Sequence, residues 1–121
     1  MTHVKGRRVY LSGPMTGLPN WNRATFDEAL WKLEKSGVPR LAIYNPADYI
    51  VPYEHLSHDV CLAHSIGELC YVTRHVDGTQ ELSHDLLVSL PGWEKSAGAR
   101  IEREVAIACG IEVCELAEVV E

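Results

Sequence analysis

The sequence contains no apolar run near the roughly 18 residues that a membrane-spanning helix needs. The only apolar run behind the basic start, Met1 to Arg8, is Val9-Tyr10-Leu11, too short for a secretory signal. It has no C-x-x-C pair, because Cys61, Cys70, Cys109 and Cys114 stand apart. Without a secretion signal, that pattern predicts reduced thiols in a cytoplasm. It is also short of positive charge. Lys and Arg number 11 against 17 Asp and Glu, a formal net charge of −6, which speaks against a nucleic-acid polymer or a membrane surface as partner. A small anion stays open, because backbone N–H groups bind one without net positive charge. Repeats, linkers and low-complexity segments are absent.

What is present is one domain of 121 residues, 46% apolar and 23% charged, enough for a core of ordinary globular composition. Arg8 to Ser12 reads as a first strand. A turn-rich loop from Gly13 to Asn20 follows. Asn22 can cap a helix carrying Phe26, Ala29, Leu30 and Leu33 at helical spacing, with Gly37 ending it. Arg40 to Tyr44 reads as a second strand, stopped by Asn45-Pro46. The stretch 47–59 is irregular and long enough to be lid-like. Val60 to Val76 suits one helix or two short ones, and Gln80 to His84 the end of a helix. Asp85 to Leu90 is a third strand. A clear helix starts at Ala97 or Gly98 and runs to Cys109, with Gly110 ending it. Ile111 to Leu116 is a final strand.

Strands alternating with helices predict an α/β fold with a mainly parallel sheet of four to five strands. In such sheets the ligand crevice lies beyond the carboxyl ends of the strands. Ser12, Gly13, Asn45, Trp93, Ser96 and Glu102 should therefore gather at one edge. Leu90-Pro91-Gly92-Trp93-Glu94-Lys95-Ser96-Ala97-Gly98-Ala99-Arg100-Ile101-Glu102 reads as strand end, glycine loop and helix start, a site suited to an anion with a carboxylate one turn further in.

Each residue has two readings. Glu102 is a nucleophile or general base if buried, or a surface residue paired with Arg100 or Arg103. Ser96 holds a phosphate or sugar hydroxyl, or caps the helix. Trp93 stacks on a ring or closes the core. Asp85 caps or pairs at a strand start, and Asp77 is an ordinary turn residue before Gly78. His55, His58 and His64 near Asp59 could form a metal cluster, but a polar helix face or loop is the simpler reading.

Tyr10-Leu11-Ser12-Gly13-Pro14, Asn45-Pro46, Asp77, Asp85 and Ser96-x-Gly98-x-x-x-Glu102-x-x-x-Ala106 together resemble the nucleoside 2-deoxyribosyltransferase superfamily. The resemblance is to its small bacterial and phage branch, in which an LPGW-x-x-S-x-GA-x-x-E block is typical. It covers most of the chain, thinly between Ala47 and Val76. It implies a flavodoxin-like three-layer sandwich, cleavage or exchange of an N-glycosidic bond, and no metal or cofactor. It makes Glu102 the glutamate that attacks the anomeric carbon, Tyr10 an aromatic that orients it, and Asp77 the acid assisting the departing base. Substrate contacts would come from Ser12, Gly13, Pro14, Met15, Thr16 and Gly17 in the first loop. Asn45, Asp85 and Trp93 would add to them, with Tyr44 beside the base and Ser96, Gly98 and Ala99 at the helix start.

Members acting on free nucleosides carry an acid six positions before the glutamate, and the nucleotide hydrolases carry a serine. Ser96 therefore implies a nucleoside 5′-monophosphate, with Lys95 and Arg100 adding positive charge. Thr16 and Gly17 could donate to the phosphate, although Gly-Pro-Met-Thr-Gly departs from the phosphate-specific first loop. The alternatives are base exchange on free nucleosides, a nucleotide-binding module without turnover, and an interaction protein. The resemblance also implies a homodimer or homotetramer.

Overall fold

The computed structural model describes residues 2–49 and 57–120. In chain order the elements are β1 (Thr2–His3), β2 (Val9–Ser12), α1 (Arg23–Lys35), β3 (Ile43–Tyr44), α2 (His58–Leu69), β4 (Val72–Arg74), β5 (Gln80–Leu82), β6 (Leu86–Ser89), α3 (Ala97–Ala108), β7 (Glu112–Glu115) and β8 (Val119–Val120). Four strands form one parallel sheet in the order β3-β2-β6-β7. The central register pairs Val9 with Leu86 and Ser12 with Ser89.

Strand alternation divides the core. Val9, Leu11, Leu86 and Val88 pack with Phe26, Ala29, Leu30 and Leu33 of α1. Tyr10 and Leu87 point the other way, into a cluster with Leu69 of α2 and Ala106 of α3. The result is the flavodoxin-like three-layer sandwich. From β2 the chain moves first to β3 on one side and later to β6 on the other, so the order reverses between β2 and β6. That reversal opens the crevice in such sheets.

Helix α1 buries the four residues its spacing predicts. Asn22 precedes it but bonds no backbone N–H of the helix. Its Nδ2 donates to the Pro14 carbonyl at 2.9 Å, and its Oδ1 accepts from Thr25 Oγ1 at 2.8 Å. The helix start is thereby tied to the loop after β2.

Three expectations are corrected. Val60 to Val76 is not helical throughout, because α2 ends at Leu69 and Val72–Arg74 is β4. Arg40–Ala42 forms a 3₁₀ turn, so only Ile43 and Tyr44 pair with β2. Gln80–Leu82 is not the end of a helix. It is β5, antiparallel to β4, since Asp77-Gly78 makes a turn in which Asp77 Oδ1 takes the Thr79 N–H at 2.9 Å and Gly78 holds φ at 90°. β-Branched Val72 and Thr73 suit the resulting hairpin. The termini also form an unforeseen parallel pair, β1 with β8. Among the described residues no helix is long and apolar enough to cross a membrane.

Candidate functional site

The loops after β2 and β6 lie against each other. The Leu90 N–H donates to the Ser12 carbonyl at 2.8 Å. A Cβ on Gly13 would stand 2.8 Å from Leu90 Cβ, closer than side chains tolerate, so Gly13 lets the two strand ends meet. One at Gly92 would lie 3.5 Å from Pro14, so the Leu90-Pro91-Gly92-Trp93 loop is laid on the first loop. Helix α3 then begins with Ser96 as its cap, whose Oγ accepts the Ala99 N–H at 3.2 Å. The N–H groups of Ala97 and Gly98 are first-turn donors with no intrahelical acceptor.

Ala99, Glu102 and Ala106 are the buried residues of α3. Their spacing is the helix stripe that faces the sheet. Glu102 thus occupies a core-facing position and is only 8% exposed. The surface ion-pair reading fails for Arg103, which donates to Ser89 Oγ at 3.0 Å and lies over the Trp93 ring. Both carboxylate oxygens of Glu102 are instead held by β2. Ser12 Oγ donates to Oε1 at 3.0 Å, and the Tyr10 hydroxyl donates to Oε2. Burial lifts the Glu102 carboxyl from 4.5 to about 7, and the bonds from Tyr10 and Ser12 restrain the rise. Near neutrality the group therefore exists in both protonation states.

Tyr10 is fully buried. Burial first, then the Glu102 charge, pushes its phenol well above 10, so it acts as a donor and not as a base. Its oxygen also lies 3.1 Å from the Ser65 carbonyl of α2. A phenol has one hydrogen. With Glu102 ionised, that hydrogen belongs to the carboxylate. With Glu102 protonated, the carboxyl donates to Tyr10, and the phenol turns to Ser65. The Tyr10 ring stacks on Tyr44 at 5.0 Å and meets His84 edge-on at 5.4 Å. His84 is buried, and among the described residues neither ring nitrogen is hydrogen-bonded. Burial lowers its pKa below 6.5, partly offset by Glu68, whose Oε1 lies 3.5 Å from Nε2.

The remaining candidates divide by position. Thr16 Oγ1 lies 3.4 Å from His58 Nδ1. A Cβ at Gly98 would lie 3.6 Å from His58 Cε1. The first loop, the start of α2 and the start of α3 thus meet. Met15 packs against the α1-side core. Trp93 donates from Nε1 to Glu115 at 3.1 Å while Arg103 covers its ring, so it is engaged at the β7 side. Asn45 is buried, and its Oδ1 accepts the Ala47 N–H at 3.0 Å. Among the described residues its Nδ2 has no partner, so they leave one buried donor unused near the β3 end.

Two acids are not brought to Glu102. Asp85 sits at the start of β6, where it binds the Arg8 N–H and guanidinium at 2.8–2.9 Å. That pairing lowers its carboxyl to about 2. Strand starts lie at the edge opposite Ser12. Asp77 is at the tip of the β4–β5 hairpin, fully exposed, with its carboxylate on Thr79. Among the described residues no group of three His, Cys, Asp or Glu could hold a metal ion. His55 of the candidate cluster lies outside the described residues.

The profile of a protein family described as "Domain of unknown function (DUF4406)" matches residues 7–115. The chain belongs to this family. No curated protein and no solved structure matches it significantly. Within this DUF4406 domain, sequence reasoning did not single out Ser65 or His84 and had His58 only as a metal candidate. A backbone carbonyl leaves no side-chain signature, so Ser65 had no signal to find. His58 follows Ser57, which caps α2 by accepting the Val60 N–H. That cap is legible in sequence and would have put His58 in the first turn of a helix.

Proposed function

We propose that this protein cleaves the N-glycosidic bond of a nucleoside 5′-monophosphate, with Glu102 as nucleophile. The observation that carries the reading is the buried Glu102 carboxylate at the β2–β6 reversal, both oxygens held by Tyr10 and Ser12. A dry carboxylate with fixed orientation suits attack on a carbon that develops positive charge. Donors on both oxygens keep it ionised when a cationic transition state forms beside it.

In the first step a Glu102 oxygen bonds to the anomeric carbon. The carbon–nitrogen pair leaves with the base, whose nitrogen takes a proton from water, since Asp77 is occupied at the hairpin tip. In the second step water attacks the anomeric carbon, its proton returns to solvent, and the sugar phosphate is released with Glu102 restored. The start of α3 suits the phosphate. Gly98 lies about 6 Å before Glu102 along the helix, on the scale that separates an anomeric carbon from the 5′-phosphate of the same nucleotide. The first-turn N–H groups favour an anion there, and Thr16 and His58 border the same place.

The position of Asp77 favours a second reading, a nucleotide-binding module without turnover. Incubation with a panel of nucleoside 5′-monophosphates and nucleosides, followed by chromatography of free base, separates the two. Base release from monophosphates that disappears in Glu102→Ala supports the proposal. Thermal stabilisation by a monophosphate without base release supports the second reading. Added acceptor base giving a new nucleoside would mark a transferase, and light scattering behind size exclusion tests the homodimer or homotetramer.

A further inference from the structure

The C-terminal ends of α2 and α3 bring together two thiols that stand far apart in sequence. Cys70 follows the last residue of α2, and its N–H bonds back to the Ile66 carbonyl at 3.0 Å. Cys109 follows the last residue of α3 in the same way, bonded to Val105 at 3.0 Å. The two helices cover the same sheet face and pack on each other. Leu69 and Ala106 are buried in one cluster, with Val105 against it. Cys70 and Cys109 lie just beyond that shared contact, near enough for the Cys109 thiol to act on that of Cys70.

The other two cysteines are placed differently. Cys114 is buried in the α1-side core. Cys61 is nine positions before Cys70 on α2, about 13 Å along the axis.

We propose that Cys70 and Cys109 form a reversible intramolecular disulfide when the protein meets a peroxide. Cys109 is the exposed member and is the first to react. Its thiolate attacks one peroxide oxygen, the O–O bond breaks, and hydroxide leaves and takes up a proton as water. Cys109 is then a sulfenic acid. The Cys70 sulfur attacks the Cys109 sulfur, the S–O bond breaks, and a second water leaves carrying the Cys70 proton. Two thiols and one hydrogen peroxide give one disulfide and two waters. Burial, with Cys109 as neighbour, holds the Cys70 thiol above its ordinary value, which suits it to resolve the sulfenic acid rather than to start the reaction.

The bridge fastens α2, which supplies the Ser65 carbonyl, to α3, which carries Glu102. It is independent of the reaction proposed at Glu102. The test is brief treatment of the reduced full chain with hydrogen peroxide, alkylation of remaining thiols, and non-reducing peptide mapping. The expected result is a linked Cys70–Cys109 peptide, reversed by dithiothreitol, with a melting temperature higher by roughly 5–10 °C. In Cys70→Ser, a sulfenic acid should persist on Cys109 and be trapped by dimedone. Over-oxidised Cys109 or intermolecular dimers in wild type, with no linked peptide, would overturn the proposal. So would a Cys70→Ser protein whose Cys109 traps no dimedone.

Discussion

Glu102→Gln separates the cost of burying this carboxylate from its use. Burial lifts the Glu102 carboxyl from 4.5 to about 7. At about 1.4 kcal/mol per pH unit, that is about 3 kcal/mol of preference for the neutral form. The folded value lies above the unfolded one. The favourable contribution is therefore complete below about pH 4.5 and is lost as pH rises through about 7. At higher pH the folded protein carries an ionised carboxylate that folding disfavours by that amount.

Glutamine has the same shape and no charge. Its carbonyl can accept from Ser12, and its amide can donate to the Tyr10 oxygen. The Tyr10 hydrogen then goes to the Ser65 carbonyl, already 3.1 Å away. Glu102→Gln should exceed wild type by about 3 kcal/mol near pH 8.5, with a melting temperature higher by roughly 10 °C. The gain should fade towards zero near pH 4.5. Urea unfolding at a series of pH values reads it directly. A gain that does not vary with pH, or a loss near pH 8.5, would refute a raised, buried carboxylate at this position.

Four further outcomes are expected. Tyr10→Phe removes a charge-assisted donor worth about 1.5–3 kcal/mol, so the acid limb of the base-release pH profile should move up by roughly one to two units; an unmoved limb would contradict the Tyr10 contact. Gly13→Ala sets a methyl against Leu90, and denaturant unfolding should show a loss of about 1–3 kcal/mol; full stability would show that the two loops yield easily. Asp85→Asn should leave base release unchanged. Its pairing with Arg8 is partly exposed, so the stability it removes is below about 1 kcal/mol, present above about pH 4 and lost as pH falls through about 2; loss of activity in this variant would put Asp85 in the site. His84 is held below 6.5 by burial, so its contribution is present above about pH 6.5 and lost as pH falls. His84→Phe should flatten that acid-side decline in melting temperature.

The architecture was legible because the four strands of the main sheet and two of the helices carry strong local signals. Phe26, Ala29, Leu30 and Leu33 announce α1, and Gly110 closes α3. The β4–β5 hairpin was missed because Val72-Thr73-Arg74 comes just after Cys70-Tyr71 at the end of an apolar helix, which hides a change of period. Ser12 and Glu102 were legible as a pair because both follow from strand-end topology. Their direct bond, and the burial of the carboxylate at a core-facing position of α3, arise from tertiary packing. Asp85 opens β6 at the end opposite Ser12, a placement that only the strand register shows. The spacing of Asp77 says nothing of the hairpin that places it away from Glu102. Cys70 and Cys109 meet only through helix packing, which no spacing rule reveals.

The most direct test of the central claim is free-base release from a nucleoside 5′-monophosphate by wild type and Glu102→Gln, run beside the matching nucleoside. The account predicts release by wild type, preference for the monophosphate, and loss of turnover in a Glu102→Gln protein that is folded and more stable near pH 8.5. Equal turnover by the two proteins would contradict Glu102 as the nucleophile, and preference for the free nucleoside would contradict the phosphate assignment at Ser96.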